Sequence, residues 1–132
     1  MSGALAEFLG VAIETMAEGH ACFSLAVRHE HMNPNGAVHG GVVYTLVDYA
    51  MGGALFSTLS PGQRCATLEI KINYLAAVTE GRIRAAARVV ERTKRIGVLE
   101  ARVHDDKDRV VALATGTFYV QGAAPEAGSG EA

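Results

Sequence analysis

The stretch GGVVYTLVDYAMGGALFSTL, residues 40–59, decides the fold. It is the longest apolar segment of the chain. Val42, Val43, Leu46, Val47, Tyr49, Ala50, Met51, Ala54, Leu55 and Phe56 leave no polar face. A helix that is apolar all round is expected to be buried all round, and Ser60-Pro61-Gly62 ends it. Its single charge is Asp48, and it opens on Gly40 and Gly41.

Downstream the pattern changes to period two. Leu68, Ile70, Ile72 and Tyr74 are expected to point one way, and Thr67, Glu69, Lys71 and Asn73 the other. Ile83, Ala85, Ala87 and Val89 oppose Arg82, Arg84 and Arg88; Leu99, Ala101 and Val103 oppose Glu100, Arg102 and His104. Val110 to Val120 reads as a last strand after the turn at Asp105 to Asp108. This predicts a meander of antiparallel strands, each with one buried face. Upstream, Met1 to Leu9 reads as a short helix with Leu5, Phe8 and Leu9 on its apolar side. Two strands follow, Val11 to Met16 and Ala21 to Val27, around a turn at Glu18-Gly19-His20. Asn33-Pro34-Asn35-Gly36 suits a type I turn.

One apolar helix among about six one-faced strands gives an α+β fold, with a curved antiparallel sheet wrapped around the helix. A single sheet leaves one side of the helix bare. We expect that side, with Gly52 and Gly53, to meet a second copy across a two-fold axis.

The bulk numbers narrow the function. At 132 residues, 49% hydrophobic and 20% charged, the chain suits one globular domain. We set it at residues 1–121, and read the Ala-, Gly- and Glu-rich residues 122–132 as a disordered tail. A net charge of -2 gives no basic face for nucleic acid, and no apolar run approaches a membrane span. Met1 to Met16 lacks Lys and Arg, so no secretory leader is expected. Cys22 and Cys65 suggest no disulfide framework, and the expected compartment is the cytoplasm. No zinc-binding spacing appears around His20, Cys22, His29 and His31, and no Gly-x-Ser-x-Gly elbow is present.

Asp48 is the anomaly. A carboxylate inside an apolar helix is expensive unless something needs it; the plainer reading is a local hydrogen bond or an exposed gap. Gly40 and Gly41 open the same helix, where unpaired N–H groups and the helix dipole favour a negative oxygen. With no side chains there, a reacting carbonyl can approach and be polarised, although a glycine-rich turn into a helix is also common. Gly40 and Asp48 are eight residues apart, about 12 Å along the axis. One chain therefore cannot bring both to one carbonyl carbon. Two chains with antiparallel helices can, giving two equivalent sites across a dimer interface.

Asn33-Pro34-Asn35-Gly36-Ala37-Val38-His39-Gly40-Gly41, followed by Leu46-Val47-Asp48, resembles the signature of the phenylacetate-pathway (PaaI-like) hotdog thioesterases. That family places an Asn six positions before a His-Gly-Gly and an Asp nine positions after the His, and Asn33, His39 and Asp48 fall in this register. Thr67 to Leu75 and Glu80-Gly81 resemble the strand and turn that follow the helix. The resemblance spans roughly Gly19 to Val120. It implies a hotdog fold and hydrolysis of an aryl- or medium-chain acyl-CoA to free acid and CoA, with no metal or redox cofactor. It also implies a homo-oligomer, a tetramer made of two dimers.

By the same resemblance, Asp48 acts as general base or nucleophile. The Gly40 N–H polarises the carbonyl and Gly41 lines the substrate. Asn33 holds the water or the carbonyl, His39 shapes the glycine turn, and Thr67 holds the attacking water. Each has a plainer reading: a turn residue for Asn33, a structural histidine for His39, a favoured strand residue for Thr67. Arg92, Lys94 and Arg95 cluster at a strand end, as contacts for the CoA phosphates or as a solvated turn. Two other readings keep the fold. A hotdog hydratase or dehydratase would want a His on the helix beside Asp48, and none is there. A non-catalytic acyl-CoA binder would have no use for Asp48.

Overall fold

Leu46, Val47, Met51 and Leu55 lie on α2, the helix Gly40–Phe56, and have no solvent exposure. Burial of each side chain of this kind stabilises by about 1.5–3 kcal/mol, so α2 is the centre of the core. A computed structural model describes residues 3–122. Met1, Ser2 and all of the expected tail beyond Gly122 lie outside the described residues. The other elements are α1 (Ala4–Leu9), β1 (Ala12–Ala17), β2 (His20–Ala26), β3 (Arg64–Tyr74), β4 (Arg82–Arg92), β5 (Ile96–His104) and β6 (Val110–Gln121).

The six strands form one antiparallel sheet in the order β1-β2-β4-β5-β6-β3, curved around α2. This is the hotdog arrangement. It is not the plain meander read from the sequence. After α2 the chain crosses to the far edge, where β3 pairs with β6, and then returns so that β4 pairs with β2. The β1–β2 hairpin turns on Glu18 (φ 54°) and Gly19 (φ 81°), the left-handed pair that matches strand twist. The Gly19 N–H donates to Ser57 Oγ at 2.8 Å, tying the hairpin to the end of α2.

One expectation about α2 is corrected. Gly53 faces the chain's own sheet, because a Cβ there would lie 2.7 Å from the Phe23 ring and 3.2 Å from Met16 Sδ. Gly52 is buried as well, so these glycines let β1, β2 and β3 close on the helix within one chain. As expected of a single sheet, one side of the helix stays open within the chain. Gly41 is exposed, and Val42, Thr45 and Asp48 are half-buried along one stripe.

The apolar side expected of α1 is corrected too. Leu5 and Phe8 are exposed, and Ala6 is the buried residue. Polar contacts hold the helix instead. The Arg28 guanidinium donates to the carbonyls of Phe8 and Leu9. His31 accepts from the Arg28 N–H at Nδ1 (3.1 Å), so its Nε2–H donates to Leu9 O at 2.9 Å.

Two bulges set which side chains face α2. On β3, Thr67 pairs with Phe118 and Glu69 with Thr117, leaving Leu68 as the extra residue. A bulge of this kind shifts the alternation by one. Cys65 and Thr67 before it, and Ile70, Ile72 and Tyr74 after it, all face the helix, while Leu68 is 58% exposed. Strict alternation had put Leu68 inside and Thr67 outside. On β4, Val89 pairs with Leu99 and Glu91 with Val98, so Val90 is the extra residue and Arg92 comes opposite the buried Gly97.

Candidate active site

The β3 bulge brings Thr67 to Asp48. Thr67 Oγ1 donates to Asp48 Oδ1 at 2.7 Å, and Asp48 Oδ2 has no partner among the described residues. Asp48 is half-buried rather than buried, which is how a charged carboxylate persists in an apolar helix. Beside this pair Cys65 Sγ lies 3.9 Å from Gly52 O. Burial, and next the Asp48 carboxylate, push the Cys65 thiol above its ordinary range, while Arg92 draws it back.

The second half of the site is the start of α2. A helix leaves its first N–H groups without internal partners, and here His39 takes up most of them. The Gly41 N–H donates to His39 Nδ1 at 2.8 Å. The Val42 N–H donates to His39 O at 2.9 Å, and the His39 N–H itself goes to His31 O at 2.8 Å. Among the described residues the Gly40 N–H alone of this first turn has no partner. His39 is therefore an N-cap, and because Nδ1 accepts, its proton sits on Nε2, toward the exposed side. Gly41 is engaged by this cap through its N–H, which narrows what it can offer a ligand.

Tyr74 completes this end. Its hydroxyl donates to Gly40 O at 2.7 Å, and a Cβ on Gly40 would lie 3.1 Å from its ring. The Gly40–Gly41 peptide is thus held at both ends, by Tyr74 and by His39. Burial, with the neighbouring Tyr44, raises the Tyr74 hydroxyl above its ordinary value, so it stays protonated as a donor. The period-two pattern of the sequence places Tyr74 only on an apolar strand face. The available signal was its position on the strand that also carries Thr67.

Asn33 closes the loop before the helix. Its Oδ1 accepts from the Asn35 N–H (2.9 Å) and the Ala37 N–H (3.1 Å), and its N–H donates to Ala37 O at 2.7 Å. The acceptor end of the amide is used in the turn, and only its NH2 remains to donate outward. The three basic residues separate. Lys94 and Arg95 are exposed in the β4–β5 turn, whereas the β4 bulge turns Arg92 toward the end of α2.

The structure therefore assembles two clusters in one chain. Asp48 and Thr67 form one; Gly40, Gly41, His39 and Tyr74 form the other, eight residues back along α2. A hollow of about 470 Å³ lined by Val78, Gly81, Asp105 and Arg109 contains neither. Among the described residues no three His, Cys, Asp or Glu side chains converge as a metal set, and no helix is long and apolar enough to cross a membrane.

The profile of the thioesterase superfamily matches residues 35–112. A conserved protein of Pseudomonas aeruginosa has a similar structure, with a TM-score of 0.88 at 36% identity over 92% of this chain and 96% of that one. The PaaI protein of E. coli, from its phenylacetic acid degradation operon, gives a TM-score of 0.85 at 27% identity, over 92% and 87% of the two chains. The 1,4-dihydroxy-2-naphthoyl-CoA hydrolase of Listeria monocytogenes is 27% identical over 117 residues, 89% of this chain and 95% of its own.

Proposed function

The chain belongs to the thioesterase superfamily and is a PaaI-like thioester hydrolase of the hotdog fold, and on that premise we propose that it hydrolyses an aryl- or medium-chain acyl-CoA to the free acid and CoA. The Gly40 N–H carries the reading. Among the described residues it is the one unclaimed donor in the first turn of α2, where the dipole favours an oxyanion. Asp48 is the base. Its Oδ1 is held by Thr67 and its Oδ2 is free for a water.

In the proposed step, Asp48 takes a proton from water as the water oxygen attacks the thioester carbon. The Gly40 N–H of a second copy stabilises the carbonyl oxygen as it becomes negative, and the Asn33 NH2 donates alongside it. The C–S bond then breaks, and the CoA thiolate leaves and is protonated. Thr67 orients the carboxylate and can accept from the same water. His39 supports the glycine turn as its cap, and Gly41 shapes the approach. Lys94 and Arg95 offer exposed charge to the CoA phosphates.

The two halves lie about 12 Å apart within a chain, so the proposal requires a homodimer with antiparallel α2 helices; by the family resemblance alone, two such dimers form a tetramer. Residues 1–121 act as one domain, and a CoA ester as substrate places the enzyme in the cytoplasm. No cofactor takes part.

Release of free thiol from a panel of acyl-CoAs, with wild type beside Asp48→Asn, tests the reading. The expected result is turnover of an aryl or medium-chain member, reduced about 10²- to 10⁴-fold by the substitution. Acyl-CoA binding with no release across the panel would identify a binder and reject the hydrolase. Undiminished turnover in Asp48→Asn would remove Asp48 from the chemistry.

A further inference from the structure

His31 is the one histidine among the described residues that is sealed from solvent, at 1% exposure. Both ring nitrogens are engaged. Nδ1 accepts from the Arg28 N–H at 3.1 Å, and Nε2–H donates to Leu9 O at 2.9 Å, the carbonyl that also takes Nη1 of Arg28 at 3.0 Å. An imidazole with one nitrogen accepting and the other donating is fixed in tautomer and in orientation. No step of the proposed chemistry uses this ring.

Its place in the chain gives it a task. Residues 31–39 form a small hairpin: the His39 N–H donates to His31 O at 2.8 Å, Met32 bridges Val38, and the Asn33 N–H donates to Ala37 O at 2.7 Å. Both proposed donors to the oxyanion depend on this hairpin. Asn33 lies on its first arm, and Gly40 follows the last residue of its second. Two ties hold the hairpin to distant parts of the described chain. On the second arm the Val38 N–H donates to Val78 O at 2.8 Å. On the first arm the tie is the His31 ring, which joins the root of the hairpin to the end of α1. One tie leaves a hairpin free to pivot, and two on different arms do not. Donors stabilise a developing charge only if they stand in place beforehand, and a displacement of about 1 Å can cost about 10²-fold in rate.

We propose that His31 is a positioning residue for the hydrolysis: by pinning the first arm of the 31–39 hairpin to α1, it sets the Asn33 NH2 and the Gly40 N–H against the thioester carbonyl. The inference rests on the reading of those two groups as the oxyanion donors. α1 then serves as an anchor for the site, held by its carbonyls although Leu5 and Phe8 lie in solvent.

The test is a double-mutant cycle in steady-state kinetics, on the acyl-CoA that wild type turns over best. His31→Asn keeps an acceptor for the Arg28 N–H but is too short to reach Leu9 O, whereas His31→Gln has the length to donate there. The expected result is a kcat about tenfold or more lower in His31→Asn, with KM within about twofold, and a loss of only about threefold in His31→Gln. In the Asn33→Asp background, where one donor is already missing, His31→Asn should cost less than about threefold, because less remains to be positioned. Equal factors in the two backgrounds would show that His31 acts independently of the donors and overturn the proposal. A rise in KM with kcat unchanged overturns it too, as does a His31→Gln no better than His31→Asn. If His31→Asn does not fold, His31→Gln carries the cycle, and its loss of about threefold should vanish in Asn33→Asp. Absence of turnover in wild type defeats the hydrolase reading and this inference with it; turnover indifferent to both His31 substitutions defeats the inference alone.

Discussion

The hydroxyl of Tyr74 stands 2.7 Å from the carbonyl oxygen of Gly40, joining the far end of β3 to the first residue of α2. Through this bond the sheet edge fixes the peptide next to the N–H proposed to polarise the thioester. Tyr74→Phe keeps the ring against Gly40 and removes only the donor. A neutral hydrogen bond contributes about 0.5–1.5 kcal/mol net. We expect kcat to fall about two- to tenfold with KM within about twofold, read by steady-state kinetics on the best acyl-CoA. A rise in KM with kcat unchanged would make Tyr74 a substrate contact rather than a positioning residue.

Asn33 separates loop from chemistry by its two amide atoms. Oδ1 serves Asn35 and Ala37, and the NH2 is free. Asn33→Asp retains the acceptor and loses the donor; Asn33→Ala loses both. Both should reduce kcat/KM by about tenfold or more, since one donor to a developing oxyanion is worth at least that. Only Asn33→Ala should also lower the melting temperature, by the loss of turn bonds worth about 1 kcal/mol. Full activity in Asn33→Asp would return Asn33 to a turn residue.

Asp105 gives a pH dependence. Chiefly the Arg109 N–H (2.9 Å), then the Lys107 N–H (3.0 Å) and the Arg109 guanidinium (3.0 Å), hold its carboxyl below the ordinary Asp value against the opposing effect of burial. A depressed folded value means stability that is complete above the unfolded value, about pH 3.9, and is lost as pH falls through the folded one. The melting temperature of wild type should exceed that of Asp105→Asn by a constant margin above about pH 5, shrinking below about pH 4. A margin unchanged to pH 2 would contradict this. The effect reaches toward the site, because Arg109 also donates to Ala77 O, and Val78 O accepts from the Val38 N–H beside His39.

The sequence displayed α2 almost whole, because apolar residues without a polar face, ended by Ser60-Pro61-Gly62, have one good reading as an enclosed helix. It also displayed the inward faces of β4 up to Val89 and of β5 throughout, where strict alternation holds. Three features were hidden, each depending on contacts distant in sequence. Gly53 was assigned to a second copy, since nothing local shows that Phe23, thirty positions earlier, occupies the space beside it. The exposure of Leu5 and Phe8 depends on Arg28 and His31 holding α1 by its carbonyls. The return of β4 to β2 is a matter of topology, on which period-two patterning is silent. At the site, Asp48 and Gly40 are legible from the lone charge and the glycine opening of an apolar helix, and His39 and Thr67 from the family resemblance, but their pairing is not. Thr67 reaches Asp48 only because Leu68 is skipped, and His39 was read as a support for the turn without its role as a cap being visible.

That skipped residue has a consequence for how variation along β3 is tolerated. A pleated strand has two phases, and β3 uses both: Cys65 and Thr67 in one, Ile70, Ile72 and Tyr74 in the other. Leu68 is the point where the phase changes. A single deletion there merges the two, so that either the hydroxyl leaves the carboxylate or the isoleucines leave the core. Substitutions at Leu68 should be mild, since its side chain is largely in solvent, whereas its removal should be severe. The length of the strand is constrained more tightly at this position than its composition.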